Sequence, residues 1–153
     1  MDEVRIFEVT EAKSEYADAI SRLLPQLSST PHVFTADTLQ RLVDCETTHL
    51  FLLEEGGAVC GMLTLCAAYS PTGCKMWIED VVVDSDCRGR SFGRKLVEYA
   101  IEYAGECGNV TLMLTSRPSR VAANALYRSA GFSQKETNVY AMKKLYDYAI
   151  LYL

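Results

Sequence analysis

Apolar positions recur along this chain at two different spacings, and the changes from one to the other mark out its elements. In residues 4–9, Val4, Ile6 and Glu8 alternate with Arg5, Phe7 and Val9, which predicts a first strand. Tyr16, Ala19, Ile20, Leu23, Leu24 and Leu27 then repeat at helical spacing behind Ser14, a residue type that caps helix starts. Pro25 stands near the end of that helix, where it closes or bends it. After a loop at 28–32, Thr35 or Asp37 caps a second helix carrying Leu39, Leu42 and Val43. Residues 49–53 and 58–68 are strands joined by the turn Glu54-Glu55-Gly56-Gly57. A further turn at 70–73 leads into a third strand of the meander, 75–83.

Helix 94–107 sets Leu96, Val97, Ala100, Ile101 and Ala104 on one face, with Gly105 and Gly108 placed to end it. A short buried strand at 110–115 follows, then a helix from about 120 to 130 stopped by Gly131, then an antiparallel pair at 132–135 and 138–142. The order is β-α-α-β-β-β-α-β-α-β-β. The strand–helix–strand unit from 76 to 115 implies a parallel pair with a right-handed crossover. The expected fold is one α/β domain over 1–153 with a mixed sheet. Residues 145–153 carry three tyrosines and four Leu or Ile, and are expected to pack on the domain or to form a dimer contact.

Composition narrows the function classes. A chain of 153 residues is long enough to bury roughly 70% of its unfolded surface in a single core. A net charge of −5 argues against a general nucleic-acid binder, which shows a basic excess. The cysteines at 45, 60, 66, 74, 87 and 107 make no C-x-x-C pair, and His32 and His49 stand far apart, so no metal site is expected. Buried free thiols and the absence of an apolar leader point to the cytosol, and no run of about 18 apolar residues predicts a membrane span.

Against that acidic background, Arg88, Arg90 and Arg94 fall within seven residues. They lie in a turn, Arg88-Gly89-Arg90-Ser91-Phe92-Gly93, between the apolar run Val81-Val82-Val83 and a helix. Unpaired N–H groups and a positive dipole end make a helix start an anion site, so phosphates are expected there. The turn is not a Walker loop, because no Gly-Lys-Ser/Thr follows, and the three-glycine spacing of a dinucleotide fingerprint is absent. A solvated Arg-rich turn is the alternative.

The turn resembles the Arg/Gln-x-x-Gly-x-Gly/Ala loop of the GNAT superfamily, the acyl-CoA-dependent N-acetyltransferases, with Arg88 first and Gly93 last. Ser91 departs from the family glycine, which a serine can replace where φ is negative. The later stretch Ala123-Asn124-Ala125-Leu126-Tyr127-Arg128-Ser129-Ala130-Gly131-Phe132 matches the family's Asn/Tyr helix and Gly-Phe, so the likeness covers nearly the whole chain. It implies a mostly antiparallel twisted sheet of about six or seven strands with about four helices, and acetyl-CoA as co-substrate. Backbone groups of Val81, Val82 and Val83 would hold the acetyl and pantetheine portions, and the amides of Arg88, Gly89, Arg90, Ser91, Phe92, Gly93 and Arg94 the pyrophosphate. Asn124 would meet the pantetheine arm, and Tyr127 would protonate the departing thiolate; packing against the sheet is the other role for this tyrosine.

A base must take the ammonium proton, directly or through water. Strict alternation puts Trp77, Glu79, Val81 and Val83 on one face of their strand, opposite Ile78, Asp80 and Val82. A carboxylate among apolar neighbours has a raised pKa suited to a base, which makes Glu79 the candidate, and ordering of the loop is the other role for it. The run Ile78-Glu79-Asp80-Val81-Val82-Val83 is also similar to the matching strand of glucosamine-6-phosphate N-acetyltransferases. The expected partner is a primary amine of a small molecule or a peptide, with no nucleic acid or membrane. A non-catalytic acyl-CoA-binding module is the alternative function.

Overall fold

The computed structural model describes residues 2–144; the expected tail at 145–153 lies outside the described residues. β1 (Val4–Glu8) is followed by α1 (Ser14–Leu27), α2 (Ala36–Asp44), β2 (Thr48–Glu55), β3 (Ala58–Ser70) and β4 (Gly73–Val83). Next come a 3-10 turn (Ser85–Cys87), α3 (Phe92–Glu106), β5 (Val110–Met113) and α4 (Val121–Ser129). The five strands form one sheet in the order β1-β2-β3-β4-β5. Its first three pairings are antiparallel; β5 lies parallel to β4, as the α3 crossover requires.

The sheet has five strands, fewer than six or seven. Among the described residues, 132–135 and 138–142 carry no strand. Val139, Tyr140 and Met142 are 73%, 88% and 82% exposed, so the alternation there has no face to bury. α1 begins at Ser14 itself, behind Lys13 and without a side-chain cap, and Pro25 stands inside it. Thr35 caps α2, accepting a hydrogen bond from the Thr38 amide at 3.3 Å.

Both faces of the sheet are covered. Phe51, Leu53, Leu65 and Ile78 pack with Leu96, Val97 and Ala100 of α3. Leu50, Leu52, Met62 and Val82 pack on the opposite face with Ile20 and Leu23 of α1 and Leu39 of α2. This two-sided burial is why 50–53 is continuously apolar.

One irregularity positions the site. Thr64 pairs with Glu79 and Met62 with Val82, so Leu63 alone stands opposite both Asp80 and Val81. The extra residue is a β-bulge, with Asp80 at φ +52°. It corrects the expected alternation. Ile78 faces α3, and after the bulge Val81 and Val83 also pack on that side while Val82 turns to the other. Glu79 therefore shares a face with Val82 and Thr64, on the α1/α2 side, and not with Val81 and Val83.

Candidate active site

β4 outruns its parallel neighbour. The β4–β5 pairing joins Cys74–Trp77 to Val110–Met113, and β4 continues to Val83 while the chain beyond β5 veers off toward α4. The two segments separate around a cleft of 1570 Å³. Val81, Val82 and Val83 line one wall and Thr115, Ser116 and Arg117 the other. Backbone groups of β4 beyond Trp77 have no β5 partner, and apart from the Val83 carbonyl, which Arg88 Nε engages, they face a ligand in the manner of an added strand. The Ser116 hydroxyl, which the sequence reading passed over, is buried without a hydrogen-bond partner among the described residues. It lines this cleft.

The mouth of the cleft is the turn before α3. Gly89 has φ +80°, and Ser91 takes the left-handed conformation (φ +61°, ψ +22°) that glycine favours, contrary to the negative φ expected of a serine there. The chain needs that step to pass from extended Arg88 into the helix. Lys95 N–H donates to the Ser91 carbonyl at 3.0 Å, so the amides of Phe92, Gly93 and Arg94 precede the helix ladder. A Cβ on Gly93 would meet only ordinary contacts, 3.8 Å from Leu126 Cδ1 and 3.9 Å from Val83 Cγ2. The protein's own packing thus does not require glycine at this cleft-lining position.

Arg88, Gly89, Ser91, Phe92, Gly93 and Arg94 line the cleft, but Arg90 does not. Its guanidinium pairs with Glu55 of β2 and stacks 4.8 Å from the Phe92 ring, bracing the turn from behind. Arg88 Nε donates to the Val83 carbonyl at 3.3 Å, and Arg94 pairs with Glu98 at 3.5 Å and hydrogen-bonds Ser129.

The turn is anchored by a residue that sequence reasoning missed. Asp84 is 8% exposed and accepts from the Asp86 amide at 3.2 Å and from Gln26 Nε2 at 3.5 Å. Arg22 lies 3.5 Å away, and Gln26 also accepts from the Ser85 amide at 2.8 Å. The Asp86 amide holds the Asp84 carboxyl below its ordinary range, with Gln26 and Arg22 adding to the effect. An aspartate two residues before a second turn residue is an Asx-turn signal, and it was there to be read.

A second cavity of 600 Å³ opens under the 28–34 loop. Val81, Thr115 and Arg120 line both cavities, so the two meet beside the bulge. Glu79, Asp80 and Tyr127 line the second cavity. Partial burial raises the Glu79 pKa, and the neighbouring Asp80 charge adds to it. Burial also raises the Tyr127 pKa, opposed by Arg120, so the phenol stays protonated at neutral pH. The Tyr127 ring is part of the α3-side core, edge-on to Phe132 at 6.2 Å, yet its hydroxyl has no hydrogen-bond partner among the described residues. Asn124 lines neither cavity; its Nδ2 donates to the Arg117 carbonyl at 2.9 Å and fixes the loop at the cleft wall. The bulge thus brings Glu79 and Tyr127 to one cavity and leaves the turn to the other.

The acetyltransferase (GNAT) family model matches residues 16–132, from the first turn of α1 through the end of α4. The chain belongs to the GNAT acetyltransferase family. An uncharacterized N-acetyltransferase, YhdJ of Bacillus subtilis, is 34% identical over 95 residues, 58% of this chain. The chain covers 66% of that relative's length, just under two thirds. A probable glucosamine 6-phosphate N-acetyltransferase of Oryza sativa is 28% identical over 87% of this chain and 82% of its own length. Among solved structures, an aminoglycoside acetyltransferase from an uncultured soil sample superimposes with a TM-score of 0.81 at 18% identity, covering 94% of this chain and 97% of its own.

GNAT acetyltransferases use acetyl-CoA, and the residues of the first cleft fit that molecule. A glycine with room to spare faces the cleft beside three unladdered amides, where a pyrophosphate would lie. The orphaned Ser116 hydroxyl offers a polar partner further along. Among the described residues no group of three or more His, Cys, Asp or Glu is placed to hold a metal ion, and no helix is long and apolar enough to cross a membrane.

Proposed function

We propose that this GNAT acetyltransferase moves the acetyl group of acetyl-CoA directly to the nitrogen of a primary amine. The meeting of the two cavities at Val81, with a carboxylate and a protonated phenol in the second, is the observation that carries this reading. Acetyl-CoA supplies an activated thioester, and the edge of β4 around Val81 to Val83 that has no β5 partner orients it as an added strand. The amides of Phe92, Gly93 and Arg94, with Arg88 and Arg94, hold the pyrophosphate. Asn124 acts on the pantetheine arm indirectly, through the Arg117 loop. Most of the rate gain comes from holding amine and thioester together.

Two protons then need owners. The Glu79 carboxylate takes one from the ammonium, directly or through a water, before the freed amine attacks the thioester carbon, and its raised pKa keeps it basic enough to do so. The nitrogen's second proton, shed as the tetrahedral intermediate collapses, replaces the one that Tyr127 gives up. The Tyr127 hydroxyl gives its proton to the departing sulfur, and the six free cysteines suit a reducing, cytosolic setting. The test is release of CoA in the presence of a panel of amines, together with its pH profile. The acid limb of kcat/KM is expected to titrate above the ordinary carboxylate range and to disappear in Glu79→Gln. Acetyl-CoA is expected to raise Tm where ATP and NAD do not. A Tm rise with no CoA release from any amine would leave a non-catalytic acyl-CoA-binding module.

A further inference from the structure

The acceptor side of the site has its own chemistry, and the inference drawn from it rests on the transfer reading above. The second cavity is walled by Ile20, Leu24, Phe34, Leu42, Leu50 and Met62, contributed by α1, the loop before α2, α2, β2 and β3. Its two carboxylates sit at one end, where Arg120 also lines both cavities. Glu79 and Asp80 adjoin Val81, where the cavity opens into the acetyl-CoA cleft, whereas Phe34, Leu42 and Leu50 line only the second cavity. Tyr127, 8% exposed, lines the cavity too. A ligand held here has a cationic head beside the thioester and a body lying on hydrocarbon.

We infer that the acceptor is a small primary amine with a single positive charge and an apolar body, of the arylalkyl or branched-alkyl class. A volume of 600 Å³ is that of a small-molecule site. A sugar phosphate needs a cluster of cations for its phosphate, and this lining offers only Arg120 and His32, with no lysine. Ser28, Thr38, Thr64 and Thr115 also line the cavity and can meet a hydroxyl, but the wall of Ile20, Leu24, Phe34, Leu42, Leu50 and Met62 offers a sugar ring no partner and suits a hydrocarbon body. A polycation needs carboxylates spread along its length; here there are two, adjacent in the chain. The apolar wall is held in place, since the Ser21 hydroxyl donates to the Phe34 carbonyl at 2.9 Å and so ties the loop to α1.

The experiment compares kcat/KM for phenethylamine, isoamylamine, glucosamine 6-phosphate, kanamycin and an alanyl peptide, all with acetyl-CoA. Phenethylamine or isoamylamine is expected to exceed the other three at least tenfold. Phe34→Asp is expected to raise KM for phenethylamine at least tenfold and leave KM for acetyl-CoA within twofold. If that variant does not fold, calorimetric binding of phenethylamine to the CoA-loaded wild type takes its place, and an absence of binding overturns the inference. A preference for the sugar phosphate, kanamycin or the peptide overturns it while leaving amine acetylation intact. No CoA release with any amine overturns the transfer reading and this inference with it.

Discussion

The cleft beside α3 and the cavity beneath the 28–34 loop meet at Val81, but they are built from different parts of the chain. The cleft is largely main chain: β4 past its last pairing with β5, two residues at positive φ, and the first amides of a helix. The cavity is side chains brought together from α1, α2, three strands and α4. Main-chain recognition demands glycines, a turn and a helix start at fixed spacing, and so leaves a contiguous motif. A side-chain cavity constrains only size and polarity at positions scattered over more than a hundred residues. The family can therefore hold one donor site constant while its acceptor site varies.

The sharpest way to break this contrast is to remove the one hydroxyl that the acceptor cavity lends to the chemistry. Tyr127→Phe keeps the ring on Phe132 and removes the proposed acid. It is expected to lower kcat by about 10²–10⁴-fold, the range for loss of a positioned acid, with KM for acetyl-CoA within about twofold. Steady-state kinetics checks it, and an unchanged kcat returns Tyr127 to a packing role. Gly93→Asp probes the other region. The structure has room for a Cβ at Gly93, which lines the open cleft, so the fold is expected to persist while the carboxylate opposes the pyrophosphate. Acetyl-CoA binding by calorimetry is expected to weaken roughly tenfold or more, at least about 1.4 kcal/mol, with Tm little changed.

Both of these candidates come from the same kind of signal. Gly93 and Tyr127 belong to a spaced motif, and the order from β1 to α4 followed from periodicity. The face of Glu79 did not. Met76 and Ile78 repeat every second residue, but Ile78 and the next α3-facing residue, Val81, are three apart. That odd interval, filled by two consecutive carboxylates, is the trace a bulge leaves in a sequence, and strict alternation overrides it. The strands expected at 132–142 failed for the opposite reason: alternation was present but no apolar face lay opposite to reward it. The inward pull of Glu55 on Arg90 was invisible too, since it joins residues 35 apart in the chain. Three arginines in a row of seven read alike, and only the fold tells the brace from the two that line the cleft.

Asp84 tests whether the main-chain cleft depends on buried side chains behind it. Asp84→Asn keeps the shape but weakens the contacts to the Asp86 amide and Arg22, and is expected to cost about 1–3 kcal/mol at pH 7 by urea unfolding. The sign with pH follows from the lowered pKa. The carboxylate's contribution is fully present above its unfolded value of about 4 and is lost as pH falls toward the lower folded value. The gap in stability between wild type and Asp84→Asn is therefore expected to close below about pH 4. A gap that persists unchanged at pH 2 would mean that packing, not charge, holds the turn.

Ser91 carries the smallest effect and the cleanest reading of the main chain alone. Its side chain makes no capping bond, it is exposed, and its φ of +61° lies where a Cβ crowds the following carbonyl. That conformation costs a serine roughly 1–2 kcal/mol, part of which glycine forfeits through the greater freedom of its unfolded chain. Ser91→Gly is thus expected to stabilise by about 0.5–1 kcal/mol, a rise of roughly 1–4 °C in Tm. Ser91→Ala, which also lacks the hydroxyl but retains the Cβ, should show no such gain. If KM for acetyl-CoA stays within twofold in both, the helix-start amides hold the pyrophosphate without the hydroxyl. If KM rises in both, the serine hydroxyl is a phosphate donor, and the left-handed step is the strain that aims it.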